Sequence, residues 1–193
     1  MAAVKQSEAS VLTVNGGSSS IKFALFETRG SLRRILAGSI ERIGQPETEQ
    51  VLRTVFNQLY AQRVMLEGLI LKPNMVLPGL TCPKQETVDE VADATLKCLL
   101  RAVPAAVPGV AFLSGGQSGE LASARLNAMN VRFKSRMPWA LAFSFSRAIQ
   151  YPALEIWQGK DTNILAAQEA LYHRASCNWA ARRGEYTAAM ERT

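Results

Sequence analysis

The sequence predicts an α/β protein in which short strands alternate with helices, and three apolar runs carry this prediction. The runs lie at residues 69–71, 109–113 and 139–143, and each is too short for a helix but suits a buried strand. Polar residues follow each run, and the intervals between the runs leave room for a helix. In successive strand–helix units the parallel strands end at one edge, where active sites of such folds are built. The sequence therefore predicts a functional site where these three strands end.

The first run ends at a lysine. Gly68 and Pro73 bound it, and Pro73 cannot donate to a sheet ladder, so the strand should end at Lys72. An ammonium group at the end of a buried strand loses hydration, which favours the free amine that attacks a carbonyl. The alternative is a structural lysine that extends into solvent. This run alone leaves both interpretations open.

The second and third runs end in groups that bind anions. Residues 109–113 are followed by Ser114, Gly115 and Gly116 and then by a helical pattern. Glycine amides before a helix N-terminus are a common phosphate site, because the helix dipole adds to their hydrogen bonds. The third run is followed by a hydroxyl at Ser144 and a guanidinium at Arg147. Together the three strand ends predict an amine beside a phosphate site.

Period and capping residues predict five helices in the same part of the chain. Thr87 and Glu90 have the spacing of a capping box, and Gly184 is a typical residue to end the last helix. The predicted helices span residues 49–62, 87–103, 118–129, 146–157 and 161–183.

A separate signal lies near the N-terminus. Two apolar stretches within residues 10–27 flank a polar turn that contains Asn15, Ser18 and Ser20. This pattern predicts strand, turn and strand. The turn is either a plain hairpin or a loop whose amides and hydroxyls face a phosphate.

Three motifs resemble one enzyme family. They are Leu-Lys-Pro-Asn-Met-Val at 71–76, Phe-Leu-Ser-Gly-Gly-Gln-Ser at 112–118 and Pro-Trp-Ala-Leu-Ala-Phe-Ser at 138–144. With them, residues 49–193 resemble the C-terminal part of a class I fructose-bisphosphate aldolase. The resemblance implies a partial (β/α)8 TIM barrel, made of its last three strand–helix units. It also implies aldol cleavage of fructose 1,6-bisphosphate to dihydroxyacetone phosphate and glyceraldehyde 3-phosphate in glycolysis, with no cofactor and no metal.

The resemblance assigns roles to individual residues. Lys72 matches the lysine that forms the Schiff base. The residues that match the substrate phosphate site are Ser114, Gly115, Gly116, Ser144 and Arg147. The family usually has Tyr-Gly where this chain has Phe145 and Ser146, so a side chain now stands beside that backbone amide.

The N-terminal stretch has a different resemblance. Residues 10–46, with the turn and the stretch 36–44, resemble the start of acetate kinase, which implies a β-hairpin fragment of an actin-like ATPase fold. The residues that would lie beside nucleotide phosphates there, as a vestigial site, are Asn15, Ser18, Ser20 and Lys22. The predicted domains are therefore residues 1–48 and 49–193, joined near residues 45–48.

The acid–base groups that the aldolase resemblance requires are not in the matched strands. In the family they lie on earlier strands, and Glu67 should face away from Lys72 if both lie in one strand. We therefore expect a weak or inactive aldolase chain. The alternatives are a non-enzymatic fusion product that binds only sugar phosphates or aldolase subunits, and a phosphotransferase of the acetate kinase type. An open three-stranded sheet also leaves exposed edges, which argues against a well-folded monomer. A homo-oligomer or association with aldolase subunits is the partner expectation.

Composition excludes several other classes. The 193 residues are 48% hydrophobic and 20% charged, and the net charge of +6 is spread along the chain, so no nucleic-acid partner is expected. No segment is long and apolar enough to predict a membrane span, and no signal-peptide pattern opens the chain, so a cytoplasmic location is expected. Cys82, Cys98 and Cys177 are interpreted as reduced thiols and not as disulfides or zinc ligands, and His173 as a surface residue.

Overall fold

The fold is described from a computed structural model. It covers residues 10–16, 20–27, 33–41, 45–79 and 82–192.

The N-terminal strands form an antiparallel sheet. It contains β1 (Ser10–Gly16), β2 (Ser20–Glu27) and β3 (Arg33–Glu41), in the order β1-β2-β3. β1 and β2 pair from Ser10 opposite Glu27 to Gly16 opposite Ile21, so the predicted pair of strands within residues 10–27 is confirmed. The third strand was not predicted.

The second sheet is parallel and has three strands. They are β4 (Ile70–Leu71), β5 (Gly109–Phe112) and β6 (Ala140–Phe143), with β5 in the middle. These are the three apolar runs of the sequence, so the strand prediction is confirmed. β4 ends at Leu71, just before Lys72 and Pro73, as the proline predicts.

Helices alternate with these strands, as predicted. In the part of the chain that the structure describes, the α-helices are α1 (Gln45–Ala61), α2 (Val88–Ala102), α3 (Gly119–Phe133), α4 (Arg147–Trp157) and α5 (Ile164–Arg183). Short 3-10 helices lie at Leu66–Gly68, Lys134–Arg136, Asp161–Asn163 and Ala188–Arg192. α1 begins at Gln45, so the residues expected to join the two domains form its first turn.

The helix ends follow from the sequence. Thr87 Oγ1 accepts a hydrogen bond from the Glu90 amide at 3.2 Å, and Glu90 Oε2 accepts one from the Thr87 amide at 2.8 Å. The predicted capping box is thus confirmed. α5 ends where Gly184 adopts a left-handed φ of 80°.

The two faces of the parallel sheet differ in exposure. Leu71, Val110 and Leu141 lie opposite one another in register, so they share one face, and each is only 1% exposed. They belong to one apolar core with buried side chains of α1, α2 and α3. Ile70 points to the other face and is 66% exposed. The residues that share its face are Gly109, Ala111, Ala140 and Ala142, all of them small and at least partly exposed.

Cys82 is exposed, and Cys98 and Cys177 are buried, with all three thiols free. Among the helices in the described ranges, none is long and apolar enough to cross a membrane.

Candidate functional site

The predicted site residues follow adjacent strands. The Leu113 amide donates to the Pro73 carbonyl at 3.0 Å, and the Ser144 amide donates to the Phe112 carbonyl at 2.7 Å. These two bonds continue the sheet ladder past the last strand residues. Lys72, Ser114 and Ser144 therefore lie along one edge of the sheet, as the sequence predicts.

The extended chain at Lys72 directs its side chain to the open face. β4 ends at Leu71, but the Pro73 carbonyl still pairs with the Leu113 amide, so the alternation of the sheet continues past the strand and places Lys72 on the face opposite Leu71. The lysine is half-buried. Within the described residues, no hydrogen bond or salt bridge involves its amine. This arrangement leaves the amine available to a ligand on the open face.

Glu67 does not share a strand with Lys72, so the condition under which it should face away from the lysine is not met. It lies in the 3-10 helix Leu66–Gly68, closed by hydrogen bonds from Gly68 to Met65 at 3.3 Å and from Leu69 to Leu66 at 3.1 Å. Strand alternation therefore says nothing about its direction. Its side chain is exposed.

Asn74 is a polar residue near Lys72 that sequence reasoning missed. Its Nδ2 donates to the Met75 carbonyl at 2.8 Å. Its Oδ1 is buried and has no hydrogen-bond partner in the described part of the chain. A buried acceptor without a donor costs free energy, so a ligand or water that donates to this oxygen would be stabilised.

The loop after β5 is a tight glycine turn. Gly115 and Gly116 have φ values of 62° and 86°, which glycine adopts without the steric penalty of a Cβ. The Gln117 amide donates to the Ser114 carbonyl at 3.1 Å and closes the turn. Ser114 itself is only 6% exposed. The turn leads directly into α3, where Ser118 Oγ caps the helix by accepting from the Leu121 amide at 3.2 Å.

Two further side chains hold this turn, and sequence reasoning did not identify them. Gln117 Nε2 donates to the Ser114 carbonyl at 2.8 Å, and Gln117 Oε1 accepts from Arg125 Nη1 at 2.7 Å. Arg125 Nη2 in turn donates to the Glu86 carbonyl at 3.3 Å. Burial lowers the pKa of the Arg125 guanidinium, but an arginine stays charged at neutral pH. The sequence offers one sign of this role: Arg125 lies among apolar residues on the side of α3 that is buried.

The start of α3 lies against α4, which carries Arg147. A Cβ on Gly119 would lie 2.9 Å from the Ala148 carbonyl oxygen, so only glycine permits this approach. Pro152 lacks the amide that would bond to that oxygen within α4. The approach brings the glycine turn near the first residue of α4. Arg147 is exposed and has no hydrogen bond or ion pair with another described residue.

The residues that depart from the family's Tyr-Gly do not need a left-handed backbone. Ser146 has φ −104°, outside the left-handed region, so a side chain is tolerated there. Its hydroxyl lies 3.3 Å from Gln150 Oε1 and donates to it. Phe145 is buried and its ring centroid is 5.8 Å from that of Phe143. The substitution therefore leaves the start of α4 intact.

The N-terminal candidate residues are only partly described. Asn15 lies opposite Lys22 at the turn end of β1 and β2, and Ser20 begins β2. The backbone register thus places Asn15 and Lys22 side by side. Ser18 lies outside the described residues.

Known proteins that this chain resembles belong to one family. The family profile of class I fructose-bisphosphate aldolase matches residues 38–193. Fructose-bisphosphate aldolase B of Sparus aurata is 53% identical over 142 residues, and that of Gallus gallus is 55% identical over 139 residues. A probable class 1 aldolase of Xylella fastidiosa is 49% identical over 140 residues.

A solved structure shows the same fold. Fructose-bisphosphate aldolase from Plasmodium falciparum, crystallised with TRAP and a small-molecule inhibitor, matches with a TM-score of 0.71 and 46% identity. The match covers 75% of this chain and 41% of that one. The Sparus, Gallus and Xylella matches cover 74%, 72% and 72% of this chain but 39%, 38% and 41% of those proteins. The matched part of this chain thus spans about two fifths of the length of these relatives.

Proposed function

Because this chain belongs to the class I fructose-bisphosphate aldolase family, we propose that Lys72 is an amine that forms a Schiff base with a phosphorylated ketose. The observation that carries the proposal is its position on the open face at the end of β4, half-buried and without a described partner. A neutral amine there can attack a carbonyl carbon, and loss of water from the carbinolamine gives an iminium.

We also propose that the neighbouring strand ends bind the substrate phosphate. The glycine turn offers backbone amides in front of α3, and Arg147 offers a guanidinium at the start of α4. In the described part of the chain, neither the Ser114 nor the Ser144 hydroxyl is hydrogen-bonded to another residue. The proposed phosphate ligands are Ser114, Gly115, Gly116, Ser144 and Arg147.

The full reaction would be cleavage of fructose 1,6-bisphosphate. The iminium at C2 accepts the electron pair of the breaking C3–C4 bond while a base removes the C4 hydroxyl proton, which releases glyceraldehyde 3-phosphate. Protonation of the enamine at C3 gives a second iminium, whose hydrolysis releases dihydroxyacetone phosphate and restores the amine. No metal or organic cofactor is needed for these steps.

We propose that this chain by itself carries out the first step but not the cleavage. In the family, acid and base groups come from strands that these 193 residues do not match, and each such group contributes roughly 10²–10⁴-fold in rate. Association with aldolase subunits, or with another copy of this chain in the cytoplasm, is the proposed route by which such groups would reach Lys72.

Trapping experiments test the role of Lys72. The purified chain is incubated with dihydroxyacetone phosphate and reduced with borohydride, and the adduct is located by peptide mass mapping. The adduct is expected on Lys72 and should be absent in Lys72→Met. The control is Lys97→Met, because Lys97 is an exposed lysine on α2 whose loss should leave the adduct unchanged. An adduct spread over exposed lysines would contradict the proposal.

An enzyme-coupled assay that detects cleavage of fructose 1,6-bisphosphate tests the proposal that this chain alone does not complete the reaction. The chain alone should give no cleavage above the Lys72→Met background. Robust cleavage by the purified, subunit-free chain would show that the missing strands are not required. A trapped adduct without cleavage would leave the imine chemistry in place and identify the chain as a binder of sugar phosphates.

We propose that residues 1–48 are an acetate-kinase-like fragment of the actin-like ATPase fold, followed by the aldolase part at 49–193. The antiparallel pairing of β1 with β2, with Asn15 opposite Lys22, supports this assignment. The site of Asn15, Ser18, Ser20 and Lys22 is expected to be vestigial, because phosphoryl transfer needs groups positioned by the rest of that fold. Incubation with acetyl phosphate and ADP should yield no ATP. Turnover that Lys22→Ala abolishes would overturn this expectation.

A further inference from the structure

Three side chains that take no part in the proposed reaction meet between α5 and the C-terminal 3-10 helix. His173 and Cys177 are four residues apart on α5 and so lie on one side of that helix. Glu191 reaches them from the 3-10 helix Ala188–Arg192. One ligand atom from each of the three lies within 4.8 Å of the other two.

The distances fit the coordination sphere of a small cation. His173 Nε2 is 3.7 Å from Cys177 Sγ and 3.8 Å from Glu191 Oε2. In a tetrahedral zinc site with bonds of about 2.3 Å to sulfur and about 2.0 Å to nitrogen or oxygen, two ligand atoms are roughly 3.3–3.5 Å apart. A shift of a few tenths of an ångström would therefore bring imidazole and thiolate to bonding distance of one ion.

The surroundings of the cluster favour a site with one open position. Cys177 is fully buried, whereas the His173 side chain is 30% exposed and that of Glu191 16% exposed. Solvent can therefore reach the cluster from the side of His173 and Glu191. Three protein ligands and one water are a common zinc arrangement in which the fourth position stays open.

Hydrogen bonds from two neighbouring side chains hold the Glu191 carboxylate in place. Arg174 Nη1 donates to Glu191 Oε2, and the Tyr186 hydroxyl donates to Glu191 Oε1 at 2.7 Å. Such outer hydrogen bonds orient metal-binding carboxylates. The Arg174 cation opposes a metal ion, but Glu120 Oε1 lies 3.9 Å from its guanidinium. Two carboxylates and a thiolate against one arginine give the cluster net negative charge before the ion is counted, and a divalent cation would neutralise it.

We propose that His173, Cys177 and Glu191 form a binding site for zinc or a similar divalent cation that accepts mixed sulfur, nitrogen and oxygen ligands. The choice of metal follows from the ligand set, because a thiolate disfavours Mg²⁺ and Ca²⁺ while imidazole and carboxylate suit zinc. The bound ion would link the C-terminal 3-10 helix to α5.

The proposed site departs from two interpretations of the sequence, in which Cys177 is a reduced thiol and not a zinc ligand and His173 is a surface residue. The spacing between the cysteine and Glu191 follows no metal motif, and only the tertiary contact between the 3-10 helix and α5 brings the carboxylate to the pair. The visible signal was a histidine four residues before a cysteine on a predicted helix.

Metal titration of the full chain tests the proposal. The metal-free chain is titrated with Zn²⁺ by calorimetry, and with Co²⁺, whose thiolate bond adds a charge-transfer band in the near ultraviolet. One ion per chain is expected, and zinc should raise the midpoint of thermal unfolding. Cys177→Ser should abolish the charge-transfer band, and His173→Gln and Glu191→Gln should each weaken binding roughly 10–100-fold.

Two controls separate this site from other sources of binding. Cys82→Ser removes the exposed thiol and should leave stoichiometry, affinity and the cobalt band unchanged. Lys72→Met should also leave them unchanged, since the proposal does not depend on the aldolase chemistry. Because His173 is half-exposed, His173→Gln should fold, and circular dichroism verifies this. No saturable binding, or binding that Cys82→Ser removes and His173→Gln does not change, would overturn the proposal.

Discussion

Gly115 and Gly116 shape the turn that places Ser114 next to the open face. Both adopt left-handed φ values, so a side chain at either position would meet its own backbone. The turn is fixed from one side by Gln117, which Arg125 holds in place. The proposed phosphate site therefore depends on backbone conformation more than on particular side chains.

The substitution Gly115→Ala tests this dependence. An added Cβ would make ordinary contacts of 3.6 Å with Leu113 and Leu77, so the cost should come from the left-handed φ alone. We expect a loss of about 1 kcal/mol in the free energy of unfolding, measured by urea denaturation, and a smaller loss for Gly115→Asn. Gly79→Ala is the matched control, because its backbone is not left-handed and the added methyl would meet open space. Equal losses at both positions would refute a role for the φ angle.

Single residues follow from the sequence only where a local feature decides their position. Lys72 could be placed at a strand end because Pro73 forces the strand to stop. The roles of Arg125 and Asn74 could not be predicted, since each depends on a contact with a segment distant in sequence or on burial that only packing creates. The direction of Glu67 could not be predicted either, because local hydrogen bonds close a 3-10 turn there.

Among the secondary-structure elements, α2 shows how local chemistry fixes a boundary. The Glu90 carboxylate accepts hydrogen bonds from the Thr87 amide and from its hydroxyl, both at 2.8 Å. These bonds, the backbone one first, hold the pKa of Glu90 below its usual value of 4.5. Because the pKa of Glu90 is lower in the folded than in the unfolded chain, these hydrogen bonds stabilise the fold fully at pH values above the pKa of Glu90 in the unfolded chain. This stabilisation is lost as pH falls through the lowered pKa.

The pH dependence of Glu90→Gln checks this account. Above pH 5 the wild type should be more stable than the variant, and the difference should shrink as the pH falls below 4.5 because the native carboxyl becomes protonated. Urea unfolding at a series of pH values measures the difference. Glu155→Gln on α4 is the control, since Glu155 is exposed and has no partner among the described residues. A difference that stays constant with pH would refute the carboxylate's role.

Other boundaries were less accessible to sequence reasoning. The helices could be predicted because caps and apolar periods agree, as at Thr87 and Gly184. β3 was missed because its two arginines and Gly38 interrupt the apolar pattern, and its pairing with β2 decides the structure. β4 has only two residues, but its pairing with β5 places Lys72 at the same edge of the sheet as Ser114.

In the molecule as a whole, the parallel sheet is covered on only one face by the described helices. Parallel strands are normally buried on both faces, and the small residues beside Ile70 would line the inside of a closed barrel. Ile70 is 66% exposed on this face. A second copy of the chain is the occupant we expect there, because it presents the same apolar surface.

Self-association should therefore depend on Ile70. Sedimentation of the wild type should show association that increases with concentration, and Ile70→Glu should reduce it because a charge cannot be buried unpaired. Leu165→Glu is the control, since Leu165 is 75% exposed on α5 and not on the sheet. A wild type that stays monomeric at all concentrations would refute the expectation, as would equal effects of the two variants.

The open face also matters while the protein is being made. In a full-length aldolase the segment that matches this chain is the C-terminal part, so it leaves the ribosome after the rest of the barrel and can fold against it. In the part of the chain that the structure describes, one side of the sheet is uncovered, so while no other polypeptide covers it Ile70 meets water and other nascent chains. Chaperones that hold apolar surfaces would compete with aggregation for it. The yield of folded protein in a cell should then depend on how fast the chain is translated and how many chaperones are free, as well as on the stability of the finished fold.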